Sequence, residues 1–362
     1  MICDVNNFQN ISMNQKINKI AVIGNLGGGK PTVDGQTVKT RVLADSLIQE
    51  YGKENIMIFD TVGGILTLFR TPYIVLVALA KCRNIVILPA HNAVRVFVPL
   101  LASLQMLFRN RRVHYVVIGG WLPIFLRGKR CLANSLRKIY MIYAETTSMV
   151  KALNGMKYTN VTYMPNFKPL KIVSESSLVK KYLEPYPLCT FSRVWRMKGI
   201  AEAAEAVMYV NSTLGRIVFN LDIYGKIEKG EEDWFESLMG KVSDEVRYKG
   251  IVAFDNSVQT LKNYMFMLFP TKCSGEGIPG TIIDAYAAGL PVVSSRYPNF
   301  AEIIEDGVTG FGYEFNNNDA FKSLLLRIAE NPGMIISLKK NCIKKAIKYQ
   351  PKSIIKILTS NF

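Results

Sequence analysis

The sequence of 362 residues lacks several features that would assign it to a common class. Its six cysteines are scattered, with no C-x-x-C pair and no Cys/His cluster at metal-ligand spacing, which excludes a disulfide-rich scaffold and favours a reducing compartment. No apolar run approaches the roughly 20 residues needed to span a bilayer. The first fifteen residues, MICDVNNFQNISMNQ, are polar and lack the apolar core of a signal peptide, so we expect a cytoplasmic protein.

Acidic residues are scarce in the first half of the chain. The whole sequence has 45 Lys or Arg against 28 Asp or Glu, a formal net charge of +17. Residues 1–168 hold 21 Lys or Arg and 7 Asp or Glu, a net charge of +14, which leaves only +3 for the remainder. The basic residues of 109–140 alternate with apolar ones, a pattern that suits the anionic inner face of the plasma membrane, although a solvated, solubilising face is the alternative.

Nucleic acid would attract the same cations, and charge alone does not choose between the two partners. The sequence has no helix-turn-helix pattern, zinc finger, RNP-type aromatic motif or basic zipper region. We therefore expect no nucleic-acid partner.

Short β-branched runs alternate with helical patterns in both halves, which predicts βαβ units on parallel sheets. A chain of this length exceeds one hydrophobic core, so we expect two Rossmann-like α/β domains joined near Pro165–Pro169. The predicted strands are 20–23, 56–59, 85–88, 113–118, 189–192, 217–224, 265–269 and 291–294. The predicted domains are 1–168 and 169–345, with a last helix in 346–362 that packs back on the first domain.

A glycine-rich loop follows the first predicted strand. The run Gly24–Thr32 nearly matches a P-loop, but Pro31 stands where a Ser or Thr would bind magnesium, and proline has no backbone N–H for a phosphate. The mismatch argues against a P-loop ATPase. It favours a loop whose bare backbone lets a ligand approach closely, with a tight turn as the plain alternative.

Two cations follow a strand at the start of the second half. Arg193 lies at the end of the strand and Lys198 opens the next helix, so both can converge on one anion. Such clamps neutralise a departing diphosphate. Taken alone, two ordinary surface cations would be the simpler interpretation.

The most specific motif is the segment from Ser274 to Val293. It contains an acidic loop residue, Glu276, then a Gly/Pro turn and a helix whose first N–H groups can bind an anion. Asp284 lies one turn into that helix, and both carboxylates can accept hydrogen bonds from sugar hydroxyls. A capped core helix would explain the Gly and Pro residues but not the two carboxylates.

This motif resembles the E-x7-E signature of family 4 retaining glycosyltransferases, here Glu276-x7-Asp284, with aspartate in place of the second glutamate. The segment Arg193…Lys198-Gly199 is similar to the phosphate-binding Arg and Lys of that family, and Gly27-Gly28-Gly29 to its first glycine loop. The resemblance covers about Ile20 to Phe311. It implies the GT-B fold, in which an acceptor domain and a nucleotide-sugar domain face each other across a cleft.

The resemblance also implies roles for particular residues. Arg193 and Lys198 would hold the donor's diphosphate, Asp284 its ribose, and Glu276 the transferred sugar. Many members have a histidine where this sequence has Gly119, so we consider His91, at the end of the preceding strand, as an acceptor-side or sugar contact instead. The candidate residues are, for catalysis, Glu276, Arg193 and Lys198; for donor binding, Asp284, Gly280, Thr281, Ile282 and Gly277; and for the acceptor side, Gly27, Gly28, Gly29 and His91.

The sequence thus predicts a metal-independent retaining glycosyltransferase with no cofactor and no D-x-D motif. Its substrates would be a nucleotide-diphosphate sugar, UDP-linked, and a lipid-linked oligosaccharide of bacterial capsule, O-antigen or exopolysaccharide synthesis. The alternatives are a UDP-sugar 2-epimerase of the same fold, or a protein that binds anionic lipid or nucleic acid and has an inactive sugar site.

Overall fold

The computed structural model describes residues 19–28, 35–63, 65–89 and 91–362, without the side chains of 65–68. The chain divides into two compact units, Met1–Phe167 with Pro351–Phe362, and Lys168–Gln350. The division falls within the Pro165–Pro169 segment. Each unit carries a six-stranded, all-parallel sheet, as the alternation of strands and helices predicts.

The sheet of the first unit has the strand order β2-β1-β3-β4-β5-β6. Its direction of winding reverses between β1 and β3. The carboxyl ends of these two strands therefore flank the switch point at which doubly wound sheets bind ligands. The strands are β1 (Ile20–Gly24), β2 (Ile56–Asp60), β3 (Asn84–Leu88), β4 (Arg112–Val116), β5 (Met141–Ala144) and β6 (Val161–Tyr163).

Helices cover both faces of this sheet. One core cluster joins the sheet to the helices α2, α3, α5 and α6 defined below. A second cluster, which includes Leu43 and Leu47 of α1, lies on the opposite face. The helices are α1 (Gly35–Tyr51), α2 (Ile65–Lys81), α3 (His91–Leu104), α4 (Leu122–Phe125), α5 (Arg130–Lys138) and α6 (Thr147–Gly155).

The sheet of the second unit has the order β12-β11-β10-β7-β8-β9. Its winding reverses between β7 and β10, so the loops after these two strands lie next to each other at a second switch point. Among the parallel pairs, Phe266 of β10 lies opposite Leu188 of β7. The strands are β7 (Tyr186–Phe191), β8 (Phe219–Tyr224), β9 (Val246–Gly250), β10 (Phe266–Phe269), β11 (Val292–Ser295) and β12 (Gly310–Tyr313).

The helices of the second unit pack in two clusters, which again lie on the two faces of its sheet. They are α7 (Ile200–Thr213), α8 (Glu232–Met239), α9 (Ser257–Leu261), α10 (Gly280–Ala287), α11 (Phe300–Ile303), α12 (Asn318–Glu330), α13 (Gly333–Ile336) and α14 (Lys339–Ile347).

The last helix, α15 (Pro351–Thr359), belongs to the first unit. Its residues Ile354, Ile355 and Leu358 pack in the same core cluster as α1. Arg112 donates a hydrogen bond to the carbonyl of Asn361 at 2.9 Å and so ties the end of the chain to β4. The return to the first unit begins at Pro351, five residues beyond the predicted boundary at Ala346.

Each predicted strand overlaps an observed one, and the helix predicted after the Gly/Pro turn that follows Glu276 corresponds to α10. The sequence analysis did not assign α2, the inner strand β5 or the edge strands β6, β9 and β12. In the part of the chain that the structure describes, no helix combines the length and the apolar character needed to cross a bilayer.

Candidate functional site

An ion pair lies at the switch point of the second sheet. Lys198 ends a short turn after β7, and Glu276 lies in the loop after β10. The Nζ of Lys198 contacts Oε1 of Glu276, and the two side chains are only 12% and 13% exposed. The adjacency of β7 and β10 therefore brings together two charges that are 78 positions apart in the sequence.

Gly199 permits this approach. Its φ is +72°, and a Cβ at this position would lie 1.9 Å from the carbonyl oxygen of Pro270, at the end of β10. A side chain is excluded by both the backbone angle and the contact. The glycine after Lys198 thus lets the turn that carries the lysine pack against the strand that leads to Glu276.

Further contacts fix the position of Glu276. The hydroxyl of Thr271 donates to its Oε1 at 3.0 Å, and the side-chain amide of Asn299 donates to its backbone carbonyl. The ammonium of Lys198 also lies 5.4 Å from the centre of the Phe269 ring. The carboxylate is therefore held in one orientation by groups from the ends of β10 and β11.

Arg193 lies near this pair but has a different partner. Its Nη1 is 2.5 Å from Oε2 of Glu228, and about half of its side chain is exposed. The charges of Glu276, Lys198 and Arg193 all act on the Cys273 thiol, whose pKa is raised mainly by burial, with Glu276 adding to the rise and the two cations opposing it. The three predicted catalytic residues are thus within electrostatic reach of one point.

The amino end of α10 adjoins the same loop. The helix begins at Gly280, and Pro279 before it provides no side-chain cap. The amide of Ile282 donates to the Pro279 carbonyl at 3.0 Å, whereas Gly280 and Thr281 lie in the first turn, whose N–H groups have no acceptor within a helix. Gly277, in the loop before it, is buried. This end of α10 favours negative charge because of the helix dipole.

Asp284 is buried inside the second unit. Both of its oxygens lie 2.6 Å from the Nζ of Lys168, and Ser257 donates to Oδ1 at 3.1 Å. The ammonium of Lys168 also lies 4.5 Å from the centre of the Phe254 ring. Burial raises the pKa of Asp284, while Lys168 and Ser257 act in the opposite direction. The predicted ribose contact stays a prediction, and a ribose hydroxyl would share this carboxylate with Lys168.

The glycine loop of the first unit lies at the end of β1. Gly27 and Gly28 have φ values of +82° and +57°. The carboxylate of Asp60, which ends β2, accepts hydrogen bonds from the amides of Leu26 and Gly28 at 2.9 and 2.8 Å. These bonds fix the loop beside the switch point of the first sheet. The predicted contact at Gly29 falls outside the described residues.

His91 begins α3, on the other side of this switch point. Its ring stacks on Trp121 with centroids 3.8 Å apart and meets Phe125 edge-on. Partial burial lowers its pKa. His91 is therefore held mainly as the neutral imidazole and remains a candidate acceptor-side residue.

A second buried ion pair lies close to Gly119. The Nζ of Lys39 contacts Oε2 of Glu145 at 2.8 Å, and the side chains are 2% and 3% exposed. The same carboxylate oxygen accepts a hydrogen bond from the amide of Gly119 at 3.1 Å. Lys39 also donates to the Val117 carbonyl at 3.1 Å. The pair fixes the backbone after β4 at Gly119.

The other histidine, His114, is part of the core. It is fully buried in β4, with ring nitrogens 3.0 Å from the Tyr143 hydroxyl and 3.1 Å from Oδ1 of Asn84. Burial, assisted by Arg112, lowers its pKa to about 3. It has a structural role in holding the strands.

Residues 186–331 match the family profile "Glycosyl transferases group 1". The match lies wholly within the second unit and covers about two fifths of the chain. The matched segment includes β7, β10 and α10, together with Arg193, Lys198 and Glu276.

One curated protein is similar to part of this chain. The chain is 27% identical over 157 residues to the amylovoran biosynthesis glycosyltransferase AmsK of Erwinia amylovora, a match that covers 42% of this chain and 38% of AmsK. The chain thus spans well under half the length of this curated relative.

Two solved structures share the fold. The Anabaena protein HepE, in complex with UDP and glucose, has a TM-score of 0.70 at 17% identity and covers 95% of this chain and 98% of its own. The lipopolysaccharide outer core galactosyltransferase WaaB has a TM-score of 0.67 at 13% identity over 95% and 98%. The predicted GT-B fold, with two Rossmann-like α/β domains, is confirmed.

The sequence analysis missed the residues that hold the candidate groups in place. Glu228, Thr271 and Asn299 contact Arg193 or Glu276, and Asp60 fixes the glycine loop. Lys168 binds Asp284 across 116 positions of sequence. The position of Asp60 at the end of a predicted strand beside the glycine loop was the one available signal.

Proposed function

We propose that the protein is a retaining glycosyltransferase that moves a sugar from a UDP-linked donor to a lipid-linked oligosaccharide. The Lys198–Glu276 pair at the carboxyl ends of β7 and β10 carries the proposal. It lies inside the group 1 glycosyltransferase domain, at the switch point where this type of sheet binds ligands.

The donor's diphosphate would be bound by Arg193, Lys198 and the amino end of α10. In the free protein Glu228 and Glu276 neutralise the two cations. A diphosphate offers more negative charge and more acceptor oxygens than either carboxylate, so it would draw the ammonium of Lys198 away from Glu276. The released Glu276 carboxylate could then accept hydrogen bonds from the hydroxyls of the transferred sugar.

In the transfer step the bond between the sugar C1 and the diphosphate oxygen breaks, and a bond from C1 to an acceptor oxygen forms on the same face. The proton of the acceptor hydroxyl passes to the departing phosphate oxygen. Lys198, Arg193 and the dipole of α10 stabilise the charge that develops on the diphosphate. We propose that these groups replace a metal ion, so turnover should be unchanged by EDTA.

Three similar proteins support the choice of substrates. HepE is a structural neighbour with bound UDP, and AmsK and WaaB are named for the synthesis of amylovoran and of lipopolysaccharide. A polyprenyl diphosphate carrier of such a glycan is anionic and membrane-embedded. The excess positive charge of the first unit suits an acceptor of this kind on the inner face of the plasma membrane.

The experiment is a screen of UDP-, GDP- and ADP-linked sugars for thermal stabilisation of the full chain. A donor at 100 times its Kd should add about 2.7 kcal/mol to the stability of the fold that binds it. We expect a UDP-sugar to stabilise the protein, and Glu276→Gln to weaken the response to the UDP-sugar more than the response to UDP alone. No response to any nucleotide sugar would contradict the proposal, and product formed without an acceptor would indicate an epimerase instead.

A further inference from the structure

The helix α2 (Ile65–Lys81) has an unusual outer surface. Its residues Phe69, Tyr73 and Leu76 are spaced four and three apart, so they lie on one face, and all three are exposed. The opposite face, which includes Ile74 and Val75, is buried in the core. A helix that is apolar on both faces is normally buried on both, whereas α2 has one apolar face exposed.

The charges around this face have a single sign. The segment from Thr61 to Ala144 contains no Asp or Glu and twelve Lys or Arg. Over the described ranges of the chain, none of these twelve cations forms an ion pair with a carboxylate. Arg70 and Lys81 lie on α2 itself and are exposed.

A second group of exposed apolar residues follows the neighbouring helix. Helix α2 packs against α3, and Met106 and Leu107 come directly after α3 with exposed side chains. Arg111 donates to the carbonyl of Leu79 in the last turn of α2 at 2.6 Å, which ties this segment to α2. Exposed apolar side chains therefore lie both on α2 and in the segment after α3 that Arg111 ties to the last turn of α2.

We propose that the outer face of α2, with Phe69, Tyr73 and Leu76, inserts into the headgroup layer of an anionic lipid bilayer. This inference rests on the proposed function, because it specifies how the enzyme would reach a membrane-embedded acceptor. A surface of apolar side chains rimmed by cations matches lipid, which offers hydrocarbon below a layer of negative charge. Nucleic acid would place phosphates where the structure has Phe69 and Leu76.

The length of α2 determines that it lies on the bilayer and does not cross it. Its 17 residues correspond to about 25 Å, less than the roughly 30 Å hydrocarbon core. Its inner face is also committed to the protein core through Ile74, Val75 and Leu79. Only the outer face is available to lipid.

The test is co-sedimentation of the full chain with vesicles of phosphatidylcholine, with and without one-quarter phosphatidylglycerol. We expect binding to the anionic vesicles, and a loss of about tenfold or more in the partition coefficient for Phe69→Ser/Tyr73→Ser. Leu183→Ser is the matched control, because Leu183 in the second unit is 79% exposed and Phe69 is 78% exposed. It should bind as the unsubstituted protein does.

A second variant separates the two forces. Arg70→Gln/Lys81→Gln should weaken binding to the anionic vesicles by about thirtyfold, because it removes two cations near the lipid surface, and should reduce the salt dependence. Unchanged binding by the Phe69→Ser/Tyr73→Ser variant, or equal binding to neutral vesicles, would overturn the proposal. So would a dimer, or a complex with single-stranded RNA, that these two substitutions disrupt while vesicle binding persists.

The assay needs no sugar substrate, so it fails independently of the proposed function. Vesicle binding without a response to UDP-sugars would contradict the transferase proposal alone. A normal response to UDP-sugars without vesicle binding would contradict the membrane proposal alone.

Discussion

The first unit contains 22 Lys or Arg and 7 Asp or Glu, whereas the second contains 23 and 21, although both are six-stranded parallel sheets covered by helices. In the second unit cations are paired with carboxylates, as in Lys198–Glu276, Arg193–Glu228 and Lys345–Glu305. In the first unit the basic residues of 61–144 lack such partners among the described residues. The two units thus share a fold but differ in charge. The candidate site of the second unit has its cations neutralised by carboxylates, whereas the first unit has an excess of positive charge.

The exposed apolar side chains differ in the same way. Those of the second unit, such as Leu183, Ile217 and Ile251, are scattered along its sequence. In the first unit, Phe69, Tyr73 and Leu76 share one helical face. Isolated exposed apolar residues are normal, but a contiguous set indicates an interaction surface. In our proposals, the paired charges of the second unit bind the donor and the uncompensated charges of the first unit bind the membrane.

The largest expected effect concerns the paired charges. Lys198→Ala should lower turnover by roughly 10²–10³-fold, because it removes a positioned positive charge from the departing diphosphate. The control is Arg196→Ala, in the same turn but paired with Glu231 on the surface, which should keep near-normal turnover. Release of UDP from the donor found in the screen is the readout. Equal losses for both variants would mean that the turn acts through its general charge and that Lys198 has no special role.

The next effect compares one buried pair in each unit. Lys39→Met should remove the ammonium partner of the buried Glu145 carboxylate, and Lys168→Met that of the buried Asp284 carboxylate. Each substitution should cost the unit concerned about 3–5 kcal/mol of stability. Native-state hydrogen exchange reads the two sheets separately. Replacing the carboxylate as well, as in Lys168→Met/Asp284→Leu, should recover part of the loss. A loss below about 1 kcal/mol, within the range of a surface pair, would show that the pairs are solvated.

A smaller effect depends on pH and is confined to the first unit. The folded-state pKa of His114, lowered to about 3 by burial, lies below the unfolded value of about 6.5. The unfolded state therefore binds the extra proton first, and stability present above pH 6.5 is lost as the pH falls towards 3.

Between pH 6.5 and pH 5 the first unit should lose about 1–2 kcal/mol of stability. Hydrogen exchange in β3 and β4 should rise accordingly, and His114→Gln should remove most of this pH dependence. A variant that keeps the full pH dependence would assign the effect to other groups.

The sequence was sufficient to predict two Rossmann-like α/β domains, because most strands and helix starts are marked by local residue patterns. Buried strands such as 20–23 and 85–88 show as β-branched runs, and the Gly/Pro turn before α10 marks a helix start. The edge strand β9 was missed because its sequence, VRYKG, alternates apolar and charged residues. It therefore lacks the continuous β-branched run that marks the buried strands. Helix α2 was missed because an apolar stretch exposed on one face has no amphipathic pattern to reveal it.

For the site, the sequence supplied the candidate groups but not their partners. Arg193, Lys198 and Glu276 stand at strand ends, where the topology of a doubly wound sheet brings loops together. The bonds of Asp284 to Lys168 and of Arg193 to Glu228 join distant positions, and no local pattern encodes them. Those partners are what the structure adds, and they determine which charges are neutralised before a substrate binds.

The division of roles between the two units is tested most directly by measuring UDP affinity and anionic-vesicle binding on the same two variants. Lys198→Ala should weaken UDP binding by about tenfold or more, the loss of one charge-assisted hydrogen bond, and leave vesicle binding unchanged. Phe69→Ser/Tyr73→Ser should do the reverse. If either variant lowers both quantities, or if Lys198→Ala lowers vesicle binding alone, the assignment of donor binding to the second unit and membrane docking to the first is contradicted.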